Sequence, residues 1–335
     1  MRVMRLGSPQ KLENLVLGDL DDPGAPAAGE VRVRIEASSL NFHDYSVVKG
    51  MLPTEDGRIP LSDGAGTVEA VGEGVTSLSV GDQVVSVFFP HWQDGAPAIG
   101  DFSTTPGDGV DGYARTIVNR PATWFTKTPK GWSAAESATL TTAGLTAWRA
   151  LFVDGSLKAG DTLLCLGTGG VSIFALQFAK AVGARVAMTS SSDEKLAKTE
   201  EMGADFTVNY KSNEKWGKAV AQWTGGTGVD HVIEVGGPAT LSQSITATRI
   251  GGHIHLIGVL TGIQGEIPTA NMMRKQITLQ GLIVGNHRQQ RDMIKAIDAT
   301  GLKPVIDKTF DLSELASAFQ YEADGKHFGK IAISI

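Results

Sequence analysis

The stretch Thr162–Ser192, TLLCLGTGGVSIFALQFAKAVGARVAMTSSS, decides the fold. It opens with a short apolar run, Thr162 to Leu166, after the turn-like Lys158-Ala159-Gly160-Asp161. A run of that length bounded by Gly and Asp suits a strand buried on both faces. Gly167-Thr168-Gly169-Gly170 turns the chain, and Val171 to Val182 then carries apolar residues at helical spacing: Val171, Phe174, Ala175, Phe178, Ala179 and Val182. Gly183 suits the end of that helix, and Arg185 to Thr189 reads as a second strand. Strand, glycine turn, helix and strand make a βαβ unit with a right-handed crossover.

A glycine turn at the start of a helix has a chemical use. The first N–H groups of the helix lack partners, and the positive end of its dipole faces whatever lies there, which suits a phosphate. Gly167, Thr168, Gly169, Gly170 and Val171 are therefore expected to cradle a pyrophosphate. The match to G-x-G-x-x-G is partial, because Ser172 stands at the last glycine. Serine is small enough to keep helix and strand close.

Outward from this unit, alternating strands and helices predict a doubly wound parallel sheet. Helices are expected at 193–202, 216–223, 241–248 and 288–299, and strands at 206–209, 231–235, 253–258 and 278–284. Ser133 with Glu136 reads as a capping box ahead of a helix that runs through Trp148 to Phe152. Residues 1–126 have a different texture. In Glu30–Ala37 the apolar Val31, Val33 and Ile35 alternate with Arg32 and Arg34 (EVRVRIEA), as in a half-buried strand. Residues 64–75 and 81–89 repeat that texture between glycines, which predicts a small, partly open barrel. Residues 90–111 form a long polar loop of the kind that serves as a lid or binding loop. Strands at 305–310 and 330–335 are expected to return to the barrel, giving domains of 1–126 with 300–335 and of 127–299.

Composition narrows the function. The 335 residues are 41% hydrophobic and 20% charged, enough for two full cores and unlike a disordered chain. A formal charge of -6 argues against a nucleic-acid or membrane-surface binder. The single cysteine, Cys165, forbids an intrachain disulfide and reads as a core residue. Without a signal-type N-terminus or about eighteen consecutive apolar residues, the chain is expected in the cytoplasm. Where an NAD-binding unit places an acid beyond the glycines, this chain has Thr189, Ser190, Ser191 and Ser192, with Lys195 a turn later. Hydroxyls and an ammonium can hold a 2′-phosphate that a carboxylate would repel, so NADPH is expected over NADH. Ser191 with Glu194 also reads as a helix cap.

The order of these parts resembles the medium-chain dehydrogenase/reductase superfamily, in particular its zinc-independent quinone oxidoreductase-like branch. The resemblance rests on residues 39–44 (SLNFHD), 61–66 (LSDGAG), 80–84 (VGDQV) and 138–147 (ATLTTAGLTA), with 167–172 and 203–205. It implies a GroES-like barrel domain, a Rossmann domain, a cofactor in the cleft between them, and homodimers or homotetramers. Zinc-dependent relatives hold their metal at places that here carry Asn41, Ser62-Asp63 and the region of Thr142. Asn and Ser are poor zinc ligands beside thiolate and imidazole, and one carboxylate does not hold zinc tightly, so a metal-free enzyme is expected. The seven histidines show no H-x-x-x-H pairing either.

Without a Lewis acid, hydrogen bonds must stabilise the negative charge that develops on the substrate, which favours enones and quinones. Further roles follow from the resemblance. His43 falls at the hydroxyl of the zinc enzymes' proton relay, Tyr45 lies one place before a tyrosine of the quinone oxidoreductases, and Asn41 orients substrate or ribose. Thr142 lies near the nicotinamide, and Lys195 and Tyr210 grip the 2′-phosphate. Gly236, Gly258, Val259 and Leu260 lie beside the cofactor, Ile283 and Val284 approach the nicotinamide, and Phe328 and Lys330 stand at the cleft mouth. Phe88, Phe89, His91 and Trp92 read as an aromatic wall of the substrate pocket. The expected activity is NADPH-dependent hydride transfer to an activated C=C or quinone. The alternatives are a zinc-free carbonyl reductase or alcohol dehydrogenase, or a cofactor-binding protein with little turnover.

Overall fold

A computed structural model describes residues 1–335 and divides the chain into two compact units, Thr146–Ile283 and Met1–Leu145 with Val284–Ile335. Residues 127–145 and 284–299 therefore pack with the barrel rather than with the nucleotide-binding unit. The reason is visible in the helix His287–Thr300. Gln290 on its buried face donates to the Ser86 carbonyl at 2.9 Å and to Thr126 Oγ1 at 2.8 Å, both on barrel strands.

The unit Thr146–Ile283 is built on a six-stranded parallel sheet. Its strands lie in the order Phe206–Asn209, Arg185–Ser190, Thr162–Leu166, Val229–Glu234, Thr248–Leu256 and Thr278–Gly281. In chain order this is 3-2-1-4-5-6, the Rossmann arrangement. The order reverses between Thr162–Leu166 and Val229–Glu234, and the glycine turn emerges at that point. Leu163, Leu164 and Cys165 are fully buried, as a two-faced strand requires, and burial raises the Cys165 thiol well above its ordinary value. The helix Gly170–Ala181 buries Phe174, Ala175 and Phe178. Thr269–Lys275 is a helix that periodicity did not show, since none of its residues is buried. The last strand stops at Gly281, three residues short of the expected end.

The barrel unit holds a seven-stranded sheet in the order Ile306–Asp311, Lys330–Ser334, Glu30–Ser39, Ala65–Val71, Gln83–Ser86 and Phe125–Lys127, with Ile117–Pro121 also pairing Glu30–Ser39. Val31, Val33 and Ile35 are buried against Tyr113, Val118 and Phe125. A second core forms where Leu315, Phe319 and Ile333 meet Val47 and Leu61. Ser133 and Glu136 form the expected capping box, and the helical run that follows is widened into π turns at Leu140–Gly144 and Arg149–Asp154. No helix is long and apolar enough to cross a membrane.

Candidate active site

Three arrangements gather the chemistry-bearing residues. The first is the glycine turn of the nucleotide unit. Gly167 has φ 71°, a conformation open to glycine, and nothing lies within 4 Å of where its Cβ would stand. Its N–H reaches Thr189 Oγ1 at 3.3 Å, tying the turn to the neighbouring strand. Ser172 does more than fit, because its hydroxyl donates to the Leu166 carbonyl at 2.6 Å and pins helix to strand. The free helix start and open space around the turn fit a dinucleotide pyrophosphate.

At the end of Arg185–Ser190 no carboxylate takes the ribose position. Ser190 Oγ accepts from the Ser192 amide at 3.2 Å, and Tyr210, 41% exposed, donates its backbone N–H to the Ser190 carbonyl. Ser192, not Ser191, caps the helix Asp193–Glu201 by accepting from Lys195 N. The cap is one residue later than expected, because the strand runs on to Ser190 before the chain turns. Asp193 in the first turn is committed to Asn209 Nδ2 at 2.7 Å.

At the next strand end the fully buried Glu234, missed in the sequence, accepts four hydrogen bonds. They come from Gly236 N, Gly237 N, Thr240 Oγ1 and Ser244 Oγ, at 2.5–3.0 Å. Intrachain packing accounts for two of the glycines: a Cβ on Gly236 would lie 2.3 Å from Thr240 Oγ1, and one on Gly258 2.3 Å from the Val235 carbonyl. Val259, Leu260 and Ile283 are exposed.

The second arrangement is a buried polar cluster in the barrel unit, centred on Asp63. Its carboxylate accepts from Ser39 Oγ at 2.5 Å, Asn41 Nδ2 at 2.8 Å and Thr142 Oγ1 at 2.6 Å. Lys330 Nζ donates to Asn41 Oδ1 at 2.6 Å and to the Leu40 carbonyl, and stands 3.9 Å from Asp63 Oδ2. Asp44 accepts from the Ser62 amide and hydroxyl and from Asn41. Leu61, immediately before Ser62, holds φ 76°, a strained value for a side-chain-bearing residue.

Burial pushes the Asp63 carboxyl up to about 6, against the pull of Lys330. Burial also pushes Glu322 up to about 8 and lowers Lys330 from its ordinary value. Glu322 Oε2 has no hydrogen-bond partner. Among Ser39, Asn41, Asp44, Ser62, Asp63, Thr142, Glu322 and Lys330, all are buried but Thr142, which is half-buried.

Two expectations change here. Lys330 is 4% exposed and held inside this cluster, not at a mouth, because its strand pairs with Glu30–Ser39 and carries the side chain under Asn41. Both ends of the Asn41 amide are taken by Asp63, Asp44 and Lys330, so it positions its neighbours rather than a substrate. Phe328 is buried, and Val284 is buried with φ 45°.

The third arrangement is aromatic. His43 packs on Phe102 at 4.5 Å and on Phe88 at 5.4 Å between ring centroids, and its Nε2 lies 3.3 Å from Asp108 Oδ2. Phe88, Phe89 and Trp92 are buried. Phe89 lies parallel to Phe102 at 6.3 Å. His91 is not part of this wall: it is exposed and packs edge-on against Trp124. The Tyr45 ring packs against Phe42 and Phe319 at the edge of the second barrel core. Phe102 and Asp108 were hidden in the loop read only as polar.

This fold, with an open glycine turn on one unit and a buried polar cluster on the other, is that of an oxidoreductase that uses a nicotinamide cofactor. Residues 27–130 match the alcohol dehydrogenase GroES-like domain and residues 170–299 the zinc-binding dehydrogenase domain. The chain belongs to the medium-chain dehydrogenase/reductase family. It is 41% identical to a zinc-type alcohol dehydrogenase-like protein of Schizosaccharomyces pombe, over 92% of this chain and 91% of that one.

Among solved structures it resembles an NAD-dependent alcohol dehydrogenase, with TM-score 0.90, 31% identity and 100% of both chains covered. A mycobacterial protein, Rv1454c, solved with NADPH, gives TM-score 0.83 at 25% identity, again over 100% of both chains. A Pseudomonas syringae quinone oxidoreductase gives 0.84 at 26%, over 100% of this chain and 99% of that one.

Zinc does not fit the residues present. The places at issue offer an amide whose oxygen is occupied by an ammonium, a serine hydroxyl given to Asp44, a threonine, and one carboxylate already holding three donors. A dication would also face Lys330, and no three His, Cys, Asp or Glu side chains gather in ligating geometry.

Proposed function

We propose that the chain is an NADPH-dependent reductase of activated C=C bonds or quinones that works without a metal. The observation that carries this reading is the Lys330–Asn41–Asp63–Thr142 network, which fills the metal-ligand places with a fixed ammonium and a closed set of hydrogen bonds. When bound, a reduced nicotinamide supplies hydride to the acceptor carbon.

The chain's own part is to hold the cofactor and manage the proton. Gly167–Val171 hold the pyrophosphate, while Ser190, Ser191, Lys195 and Tyr210 hold the 2′-phosphate, with no carboxylate at the strand end to repel it. Thr142 is the half-buried edge of the cluster: when Asp63 carries a proton, the Thr142 hydroxyl gives its own to the substrate oxygen and takes the Asp63 proton in return, leaving the Asp63 carboxylate to be reprotonated from solvent. Charge spread over an enolate or phenolate needs less help than an alkoxide, which suits a site whose one cation is buried behind Asn41. The enzyme acts on a small molecule, in the cytoplasm, with no role on nucleic acid or membrane. It works as a homodimer or homotetramer.

The test is NADPH oxidation with an enone, a quinone and the saturated ketone matching the enone, alongside NADH and elemental analysis. Consumption of the enone or quinone by protein with less than a tenth of an equivalent of zinc supports the reading. Stoichiometric zinc with activity lost to chelator, or NADH bound tenfold more tightly than NADPH, defeats it. Thr142→Val should lower turnover about a hundredfold with little change in cofactor Kd. Consumption of the ketone alone would favour a zinc-free carbonyl reductase, the reading that the NAD-dependent alcohol dehydrogenase likeness supports. Binding of NADPH with no turnover would leave a cofactor-binding protein.

A further inference from the structure

Beside His43 the barrel unit holds a pocket of about 240 Å³, lined by Leu52, Pro53, Phe102, Ser103, Asp108 and Gly109. An apolar cavity of roughly 150 Å³ takes up benzene, so this one has room for a small ring or chain with a substituent. Leu52, Pro53 and Phe102 make its wall mostly apolar, the Ser103 hydroxyl is given to Asp101, and the one ionisable group is Asp108, which is 5% exposed. A buried carboxylate is costly unless donors satisfy it. The one side chain within ion-pair reach is His43, 3.3 Å away, and its Nε2 makes no hydrogen bond. Arg58, which reaches Thr54 beside Asp108, is committed to Glu55 and Asp111.

The backbone that carries this carboxylate is nevertheless held in place. Thr54 Oγ1 donates to the Asp108 carbonyl at 2.5 Å, the Asp108 and Val110 amides both return to the Thr105 carbonyl, and Gly107 is pressed on the Leu61 backbone with φ 86°. An acceptor with spare capacity, carried on a pinned backbone in the wall of a mostly apolar pocket, is a recognition group for a donor.

We propose that this pocket receives the far end of the acceptor substrate, and that Asp108 selects an uncharged molecule bearing a hydroxyl there while turning away one bearing a carboxylate. The body of the substrate lies along Phe102 and Leu52, and its hydroxyl donates to the Asp108 carboxylate where His43 leaves an oxygen free. A carboxylate in the same place would meet a like charge with no compensating arginine or lysine. This rests on the reductase reading and adds the substrate's chemical class.

The test uses a short alkyl enone, its terminal hydroxy derivative and its terminal carboxy derivative with NADPH, on wild type, Asp108→Asn and Asp108→Leu. In the wild type, kcat/KM for the hydroxy compound should exceed that of the parent by at least tenfold and that of the carboxy compound by a hundredfold. Asp108→Leu should bring hydroxy and parent to within twofold of each other. Asp108→Asn, whose amide can donate, should raise the carboxy compound at least tenfold. Equal kcat/KM for all three in the wild type, or the same fractional loss for all three in both variants, overturns the proposal.

If none of the three drives NADPH oxidation, the reductase reading fails by itself. Calorimetric titration of the saturated hydroxy and carboxy analogues then decides the pocket. Hydroxy binding at least tenfold tighter than carboxy, lost in Asp108→Leu, upholds it, and no binding to the wild type overturns it. Unchanged circular dichroism and Tm in Asp108→Asn separate recognition from misfolding.

Discussion

The barrel unit buries Asp44, Asp63 and Glu322 around the ammonium of Lys330, whereas the nucleotide unit buries His231 and His255 beside the half-buried His253 on two adjacent strands. In the first cluster Asp63 and the ammonium are answered with partners, which are hydroxyls, an amide and each other. In the second, charge is given up. His255 Nε2 lies 3.4 Å from His231 Nδ1, and burial drives the pair down to about 3 and about 4.

Asp161, 3.7 Å from His231 Nε2, is too distant to offset that burial. The difference follows from chemistry. Imidazole loses its charge cheaply near neutrality, while the buried Lys330 ammonium, though burial lowers it, is drawn the other way by Asp63, Glu322 and Asp44. Two clusters of opposite kind in one chain should therefore respond to mutation and to pH in opposite directions.

Removing the counter-ion gives the largest effect. Lys330→Met leaves Asp63 and Asp44 buried without a cation, and should destabilise the barrel unit by about 3–5 kcal/mol in urea unfolding. The double variant with Asp63→Asn should recover part of that loss. A single variant as stable as wild type would show that the ammonium does not hold the cluster.

Glu322 comes next. Its folded value near 8 lies above the ordinary 4.5, so the folded chain binds the extra proton. Stability from this group is greatest below 4.5 and is lost as pH rises towards 8. Glu322→Gln, neutral and of the same shape, should gain about 2–3 kcal/mol over wild type at pH 8.5 and little at pH 4.5. Equal stabilisation at both pH values would place the proton elsewhere.

The histidines run the other way. Their folded values lie below the ordinary 6.5, so the unfolded chain takes up protons first. Stability is full above 6.5 and falls as pH drops towards 4 and then 3. Between pH 7 and 5 the His255 contribution should cost about 2 kcal/mol, and His255→Leu should flatten that limb. Hydrogen exchange resolved by strand can assign the acid loss to Val229–Glu234 and Thr248–Leu256 and the alkaline loss to Lys330–Ser334. Both losses on the same strands would break the comparison.

The same contrast explains what could be read from the chain alone. The nucleotide unit is legible because each strand–helix step is local: the strands at Thr162–Leu166 and Phe206–Asn209 and the helix Trp216–Trp223 fall where periodicity places them. The superfamily and both domain types follow from short motifs in order. The barrel's chemistry is not local. Lys330 meets Asn41 across 289 positions, and the partner of His43 is not the adjacent Asp44 but Asp108, in a loop with no periodic signal. Asp44 is unavailable because the tight turn at Leu61 brings the Ser62 amide and hydroxyl onto it. Motif spacing could single out Asn41 and Asp63 as metal-ligand places, but only the sheet register shows the lysine that fills the gap.

The smallest effect tests the one-residue difference at the Ser190–Ser192 end of the nucleotide unit. The pattern Ser191-x-x-Glu194 marks Ser191 as the cap, whereas Ser192 Oγ accepts from Lys195 N at 3.3 Å and Ser190 Oγ from Ser192 N at 3.2 Å. Removing a serine cap costs about 1 kcal/mol. Ser192→Ala should lose that much in thermal or urea unfolding, and Ser191→Ala less than about 0.3 kcal/mol. Cofactor binding should divide the other way. Ser191 is spared the capping bond and free to meet the 2′-phosphate, so Ser191→Ala should weaken NADPH about threefold and leave NADH unchanged. Ser192→Ala, by loosening the start of the helix, should weaken both alike. If Ser191→Ala costs stability and leaves NADPH untouched, that serine is a cap and the phosphate is held by Lys195 and Tyr210 alone.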